Sequence, residues 1–187
     1  MRDFLLIFLA GVHGTGKGHF CERLLRISSW QYLSASALLK WSEYAADPKN
    51  KEVMSIPDTQ QRLLAGLEKA CLPGGRYLLD GHLTLLDREG QVTRIDRQVF
   101  ERIQPKAIIL KTESAGVVQE RLNARDGRTY SLALIERMLS EESIYAKELA
   151  SHLKAPLFEI NAMNEEEMLA VVGNLADQIE RSGPRLG

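Results

Sequence analysis

Two hydrophobic periods alternate along this chain, and the switches between them mark its elements. Phe4-Leu5-Leu6-Ile7-Phe8-Leu9-Ala10 is apolar at every position, the pattern of a strand covered on both faces. From about Lys17 the period becomes helical, with Phe20, Leu24 and Ile27 recurring and Cys21 and Leu25 beside them. Trp30 to Ser34 suits a pleated surface and predicts a second strand, and Ala37 to Trp41 a second helix. After the polar loop Asp47–Lys51, Asp58 and Gln61 have capping-box spacing, predicting a helix with the stripe Leu63, Leu64, Leu67 and Cys71 that Pro73-Gly74-Gly75 stops.

Tyr77 to Asp80 is a third strand, apolar until an acid at its C-terminal end. The stretch from Leu85 to Pro105 has no clear period; Asp87-Arg88-Glu89-Gly90 reads as a turn and Val99, Phe100 and Ile103 as a short helix. Lys106 to Lys111 is a fourth strand, and a helix through Val117, Val118 and Leu122 follows. A long helix from about Ser131 buries Ile135, Met138, Leu139, Tyr145 and Leu149. Pro156 to Ile160 is a fifth strand, and Asn164 with Glu167 predicts a capping box opening the last helix. Strands alternating with helices predict a parallel sheet with helices on both faces, in one domain over 1–187.

The first strand runs straight into Gly11-Val12-His13-Gly14-Thr15-Gly16-Lys17-Gly18. The spacing G-x-x-x-x-G-K between strand and helix is that of a phosphate-binding P-loop, whose amides and helix N-terminus cradle polyphosphate while the lysine reaches the outer phosphates. This points to ATP or GTP with Mg²⁺. The motif normally closes with Ser or Thr, a metal ligand; Gly18 stands there instead, so water, Ser36 or Thr15 must fill in, or metal binding is weakened. Asp80, at the strand end that carries the ligand in parallel sheets, is the candidate to hold Mg²⁺ through water.

Composition narrows the field. The chain has 187 residues, enough for one sizeable core. A net charge of -1 leaves no polycation footprint for duplex nucleic acid. No apolar run reaches the roughly 20 residues of a membrane span. Cys21 and Cys71 lack metal-ligand spacing and read as reduced thiols, the expectation for a cytoplasmic protein.

Three stretches resemble the nucleoside monophosphate kinases, most clearly adenylate kinase. They are the P-loop; Leu33-Ser34-Ala35-Ser36-Ala37-Leu38-Leu39-Lys40, similar to I-S-T-G-D-M-L-R; and Leu78-Leu79-Asp80-Gly81-His82-Leu83-Thr84, similar to L-L-D-G-F-P-R. A weaker fourth, Glu120-Arg121-Leu122-Asn123-Ala124-Arg125, is similar to E-R-I-x-G-R before the lid. The resemblance implies the three-layer α/β P-loop NTPase fold, with a five-stranded parallel sheet in order 2-3-1-4-5. It also implies an acceptor-binding helical segment at about 34–73 and a short lid at about 125–130.

The expected function is therefore ATP-dependent phosphoryl transfer to a nucleotide or similar small phosphorylated acceptor. Gly11, His13, Gly14, Thr15, Gly16, Lys17, Gly18, His19 and Arg121 would bind the nucleotide. Lys17, Asp80, Arg125 and Arg128 would act on the moving phosphoryl group. Ser34, Ser36, Lys40, His82, Thr84 and Arg137 would bind the acceptor. Two alternatives stay open: a hydroxyl acceptor (a nucleoside, a sugar or a single-stranded 5′ end), although Ser34-Ala35-Ser36-Ala37 lacks the carboxylate such kinases often place there, or a nucleotide-binding regulatory protein or slow NTPase.

Overall fold

The computed structural model describes residues 4–39, 56–87, 89–162 and 164–182. Its centre is β1 (Leu5–Ala10), buried at all six positions. The remaining elements are α1 (Lys17–Ile27), β2 (Gln31–Ser34), α2 (described over 35–39), α3 (Ile56–Ala70), β3 (Arg76–Asp80), β4 (Thr84–Leu86), β5 (Val92–Arg94) and α4 (Arg97–Ile103). After these come β6 (Ala107–Lys111), α5 (Ala115–Asp126), α6 (Leu132–Leu153), β7 (Leu157–Ile160) and α7 (Glu165–Ser182).

The main sheet is parallel throughout, in order β2-β3-β1-β6-β7. This is the expected 2-3-1-4-5 once the inserted hairpin β4-β5 is set aside. Alternate residues of β1 feed two cores: Leu6, Phe8 and Ala10 pack with α3, α4 and α6, and Leu5, Ile7 and Leu9 with α1 and α7. A third cluster around Val12 joins α5 to the start of α6 through Val118, Leu122, Tyr130 and Ile135.

The hairpin β4-β5 occupies part of the stretch without a clear period. The expected turn closes it: Gly90 has φ 75 and the Asp87 carboxylate accepts from the amides of Glu89 and Gln91. Two expected caps are corrected. Helix α3 begins at Ile56, so Asp58 lies inside its first turn rather than at the cap; Pro57, which needs no amide partner, suits that turn. The Asn164 side chain turns back, its Oδ1 accepting from Asn161 N and its Nδ2 donating to Glu159 O, so no Asn164–Glu167 capping box forms. The expected loop at Asp47–Lys51 and the candidate Lys40 lie outside the described residues. Neither cysteine forms a disulfide, and both are buried.

Candidate functional site

The loop between β1 and α1 has the backbone its glycines permit. Gly11, Gly14 and Gly16 have φ of 146, 87 and 90. A Cβ on Gly11 would stand 2.5 Å from the Lys111 carbonyl oxygen, so the loop passes β6 too closely for any side chain. No side chain caps α1 at Gly16, leaving the donors of its first turn for a ligand. A Cβ on Gly18 would meet nothing within 4 Å, so a serine or threonine fits there sterically.

Lys17 is buried and turned onto its own loop, its Nζ donating to Gly11 O at 2.5 Å and Val12 O at 3.3 Å. Burial lowers its pKa from the ordinary lysine value, against the opposing pull of Asp80 and Glu142. The register sets Asp80 level with Leu9 of β1 and Ser34 of β2, at the carboxyl edge of the sheet. Asp80 Oδ2 accepts from Tyr32 OH at 2.9 Å, while Oδ1 is buried with no hydrogen-bond partner, 3.9 Å from Lys17 Nζ. Burial raises the Asp80 carboxyl, and Lys17 and the Tyr32 hydroxyl hold it back. An orphaned carboxylate oxygen beside the P-loop lysine fits a hydrated divalent cation. Among the described residues no group of three or more His, Cys, Asp or Glu could hold a metal ion.

Two histidines face each other across the loop, with ring centroids of His13 and His82 3.9 Å apart. His82 Nδ1 lies 2.7 Å from Gly11 O. A carbonyl only accepts, so Nδ1 carries the proton and Nε2 keeps its lone pair. Burial, then Lys17 and His13, lower the His82 pKa to about 3; His13 is lowered to about 4 by burial, then Lys17 and Arg125. Both rings are therefore neutral near pH 7.

A cleft of about 1250 Å³ joins these groups to the rest of the site. His19, Ser34, Ser36 and Arg121 line it with the loop, Asp80 and His82. Ser34 Oγ lies 2.9 Å from Ser36 Oγ at the start of α2. Arg121 Nη1 donates to Gly14 O at 2.8 Å, laying the guanidinium across the loop. Phe8, Leu39, Leu63, Val99, Phe100 and Ile103 supply an apolar part of the cleft's lining, and Asp87, Thr93 and Asp96 also line it. Arg94 of β5 also lines it, but its guanidinium is held by Glu141 and Glu148 of α6 at 2.6 to 3.3 Å.

The remaining expected site residues lie elsewhere. Arg125 pairs with Asp126 through two hydrogen bonds of 2.6 and 2.9 Å, although it is near enough to lower the pKa of Lys17 and His13. Arg128 donates to Tyr130 OH, which donates to Asp126 Oδ2, so the corner at 125–130 is closed on itself. Arg137 is exposed on α6 and does not line the cleft. The expectation that Thr84 faces an acceptor is corrected: it is buried and its hydroxyl donates to Glu142 at 2.6 Å. Its place beside the β3–β4 corner put it near the site, but a buried carboxylate claims its hydroxyl.

Several residues were not found from sequence. Buried Lys111 pairs with Glu165 at 3.0 Å, which also receives Arg23, on the wall beside Gly16. Tyr32 binds Asp80 from an edge strand. Glu142 accepts from Gly11, Leu83 and Thr84; its signal was an acid on the apolar stripe of α6 between Met138 and Tyr145.

Comparison with known proteins agrees with this architecture. Residues 10–138 match the family model described as the AAA domain. Adenylate kinase 1 of Schistosoma mansoni is 26% identical over 132 residues, covering 62% of this chain and 67% of that protein. A gluconokinase from Sinorhizobium meliloti 1021 superposes with a TM-score of 0.56 at 17% identity, covering 98% of this chain and 100% of that one. A shikimate kinase from Acinetobacter baumannii, solved with shikimate, gives a TM-score of 0.56 at 14% identity, covering 100% and 97%. The chain belongs to the AAA domain family and has the three-layer fold of the P-loop kinases.

Proposed function

We propose that this chain is a P-loop kinase that transfers the terminal phosphoryl group of ATP or GTP to a hydroxyl on a small molecule. The observation that carries the choice of acceptor is how the arginines lining the cleft are already engaged. A phosphorylated acceptor brings negative charge that arginine forks grip best. Among the described residues lining the cleft, the guanidiniums are Arg23, Arg94 and Arg121; Arg23 and Arg94 are each held by two carboxylates and Arg121 by the Gly14 carbonyl, and much of the remaining wall is apolar.

On the donor side, the amides from Gly14 to Gly18 and the Lys17 ammonium would hold the outer phosphates, Lys17 leaving the Gly11 and Val12 carbonyls to do so. Asp80 Oδ1 would hold Mg²⁺ through water; bound there, the ion neutralises charge on the phosphates. Arg121, Arg125 and Arg128 would supply further positive charge, the last two after leaving Asp126 and Tyr130. The acceptor oxygen attacks the γ-phosphorus, the bond to the β–γ bridging oxygen breaks, and the hydroxyl proton passes to His82 Nε2, with Ser34 and Ser36 steadying the acceptor. A loose transition state releases that proton late, so a weak base serves.

A second reading, transfer to a phosphorylated acceptor, is favoured by the match to an adenylate kinase. Both are tested by nucleoside diphosphate release from ATP or GTP with a panel of nucleoside monophosphates, nucleosides, sugars and polyols, and 5′-hydroxyl oligonucleotides. Stimulation by hydroxyl compounds is expected. Stimulation by monophosphates alone would replace the first reading with the second. Release at one rate whatever the acceptor would remove both and leave a slow NTPase.

A further inference from the structure

Glu142 is a charged group that phosphoryl transfer, as described, does not use. It is 1% exposed, on the core-facing stripe of α6. A carboxylate persists in such a place only when its lone pairs are met. Oε1 accepts from Gly11 N at 3.0 Å and Leu83 N at 2.9 Å, and Oε2 from Thr84 N at 2.8 Å and Thr84 Oγ1 at 2.6 Å. These donors come from two segments of the site. Gly11 opens the phosphate-binding loop, and Leu83 and Thr84 directly follow His82.

The two segments also meet without Glu142. The Gly11 carbonyl accepts from His82 Nδ1 at 2.7 Å and from Lys17 Nζ at 2.5 Å. Gly11 N to Glu142, Glu142 to Leu83 N, and His82 Nδ1 to Gly11 O form a closed ring. The carboxylate holds both sides of that ring at once.

We propose that Glu142 is a positioning residue that fixes the spacing between the phosphate-binding loop and the β3–β4 corner, and so holds His82 in the Nδ1–H tautomer with Nε2 open to the cleft. Its effect on turnover rests on the kinase reading above; its effect on the His82 ring does not. Glutamine keeps the size of Glu142 but accepts at one oxygen only, so its NH₂ must face a donor amide.

The experiment is a long-range ¹H–¹⁵N spectrum of histidine-labelled protein, in which the chain's four histidines are few enough to assign. It is paired with steady-state kinetics on whichever acceptor the panel identifies. In the wild type His82 is expected as a single Nδ1–H tautomer. In Glu142→Gln it becomes a tautomer mixture, and kcat falls about tenfold or more while the nucleotide KM moves less than about threefold, the split expected of an interaction expressed in the transition state. Thr84→Val, which removes one side-chain donor and keeps the backbone bonds, gives a smaller change of the same kind. Glu142→Gln added to His82→Gln costs nothing further in kcat.

An unchanged tautomer and kcat in folded Glu142→Gln would overturn the proposal, as would a change confined to nucleotide KM. If Glu142→Gln does not fold, an unchanged tautomer in Thr84→Val overturns it. A tautomer that responds to Glu142→Gln, with no acceptor phosphorylated by the wild type, supports the proposal and removes only the kinase reading.

Discussion

Alanine at Gly11 and at Gly18 should change stability in opposite directions, although both glycines sit in one phosphate-binding loop. At Gly11 the new Cβ would lie 2.5 Å from the Lys111 carbonyl and 3.1 Å from Thr15 Oγ1. The carbonyl belongs to β6, which pairs with β1 on one side and β7 on the other, so it cannot retreat without breaking ladder bonds. Holding a non-glycine residue at φ 146 costs about 1–3 kcal/mol, and the overlap about 1–3 kcal/mol more. The sum, about 2–6 kcal/mol, is a large share of the roughly 5–15 kcal/mol that stabilises a domain. At about 2–4 °C per kcal/mol for a chain this size, Gly11→Ala should lower Tm by on the order of 10 °C. Gly18 is in the first turn of α1 with open space around it, so Gly18→Ala should stabilise by about 0.5–1 kcal/mol, mostly by restricting the unfolded chain. Circular dichroism melts and urea titrations of the nucleotide-free proteins measure both. Shifts of the same sign, or a Gly11→Ala protein within about 1 kcal/mol of wild type, would refute the close approach of loop and β6.

Further outcomes follow from the same geometry. Lys17→Ala should reduce diphosphate release about 100-fold or more, the scale of losing one preorganised charge at the moving phosphoryl group. Gly18→Ser should lower the Mg²⁺ concentration for half-maximal turnover; an unchanged metal titration would show that Gly18 is not a weak point of the metal site. His82 titrates near 6.5 unfolded but near 3 folded, so the unfolded chain binds more protons between those values. Its contribution to stability is therefore full above about pH 6.5 and lost as pH falls toward 3, and His82→Gln should flatten the pH dependence of urea midpoints there. Lys111→Met breaks a buried ion pair and should destabilise by about 3 kcal/mol, at the low end for such pairs because Arg23 still reaches Glu165; a thermal melt tests this.

The strands of the main sheet were legible because most of them are apolar runs long enough to show their period, whereas their order came from the family resemblance. The hairpin was not: Thr84–Leu86 and Val92–Arg94 are three residues each, too short to display alternation. Asn164 had the right spacing for a cap, but Asn161 and Glu159 lay within reach after folding and took its side chain. Of the acceptor candidates, Ser34, Ser36 and His82 line the cleft, whereas Thr84 serves Glu142 and Arg137 lies outside. Arg125 ends α5 and Arg128 lies beyond the left-handed Gly127, and each is spent on Asp126 or Tyr130.

By itself the amino-acid order determined the features that depend on near neighbours. Glycine spacing permits the loop's positive φ values, the apolar runs require burial on two faces, and an acid at the end of β3 meets the loop through strand register. Only the tertiary structure decided which donor meets which acceptor. Gly11 and Glu142 are 131 positions apart, and nothing local marks them as partners. A hydrogen bond depends on distance and direction to within tenths of an ångström, and those are set only when helices and sheet have packed. So Gly18 reads from sequence as a gap in the metal site, while the pairings of Tyr32 with Asp80 and of Glu142 with Gly11 emerge from the fold.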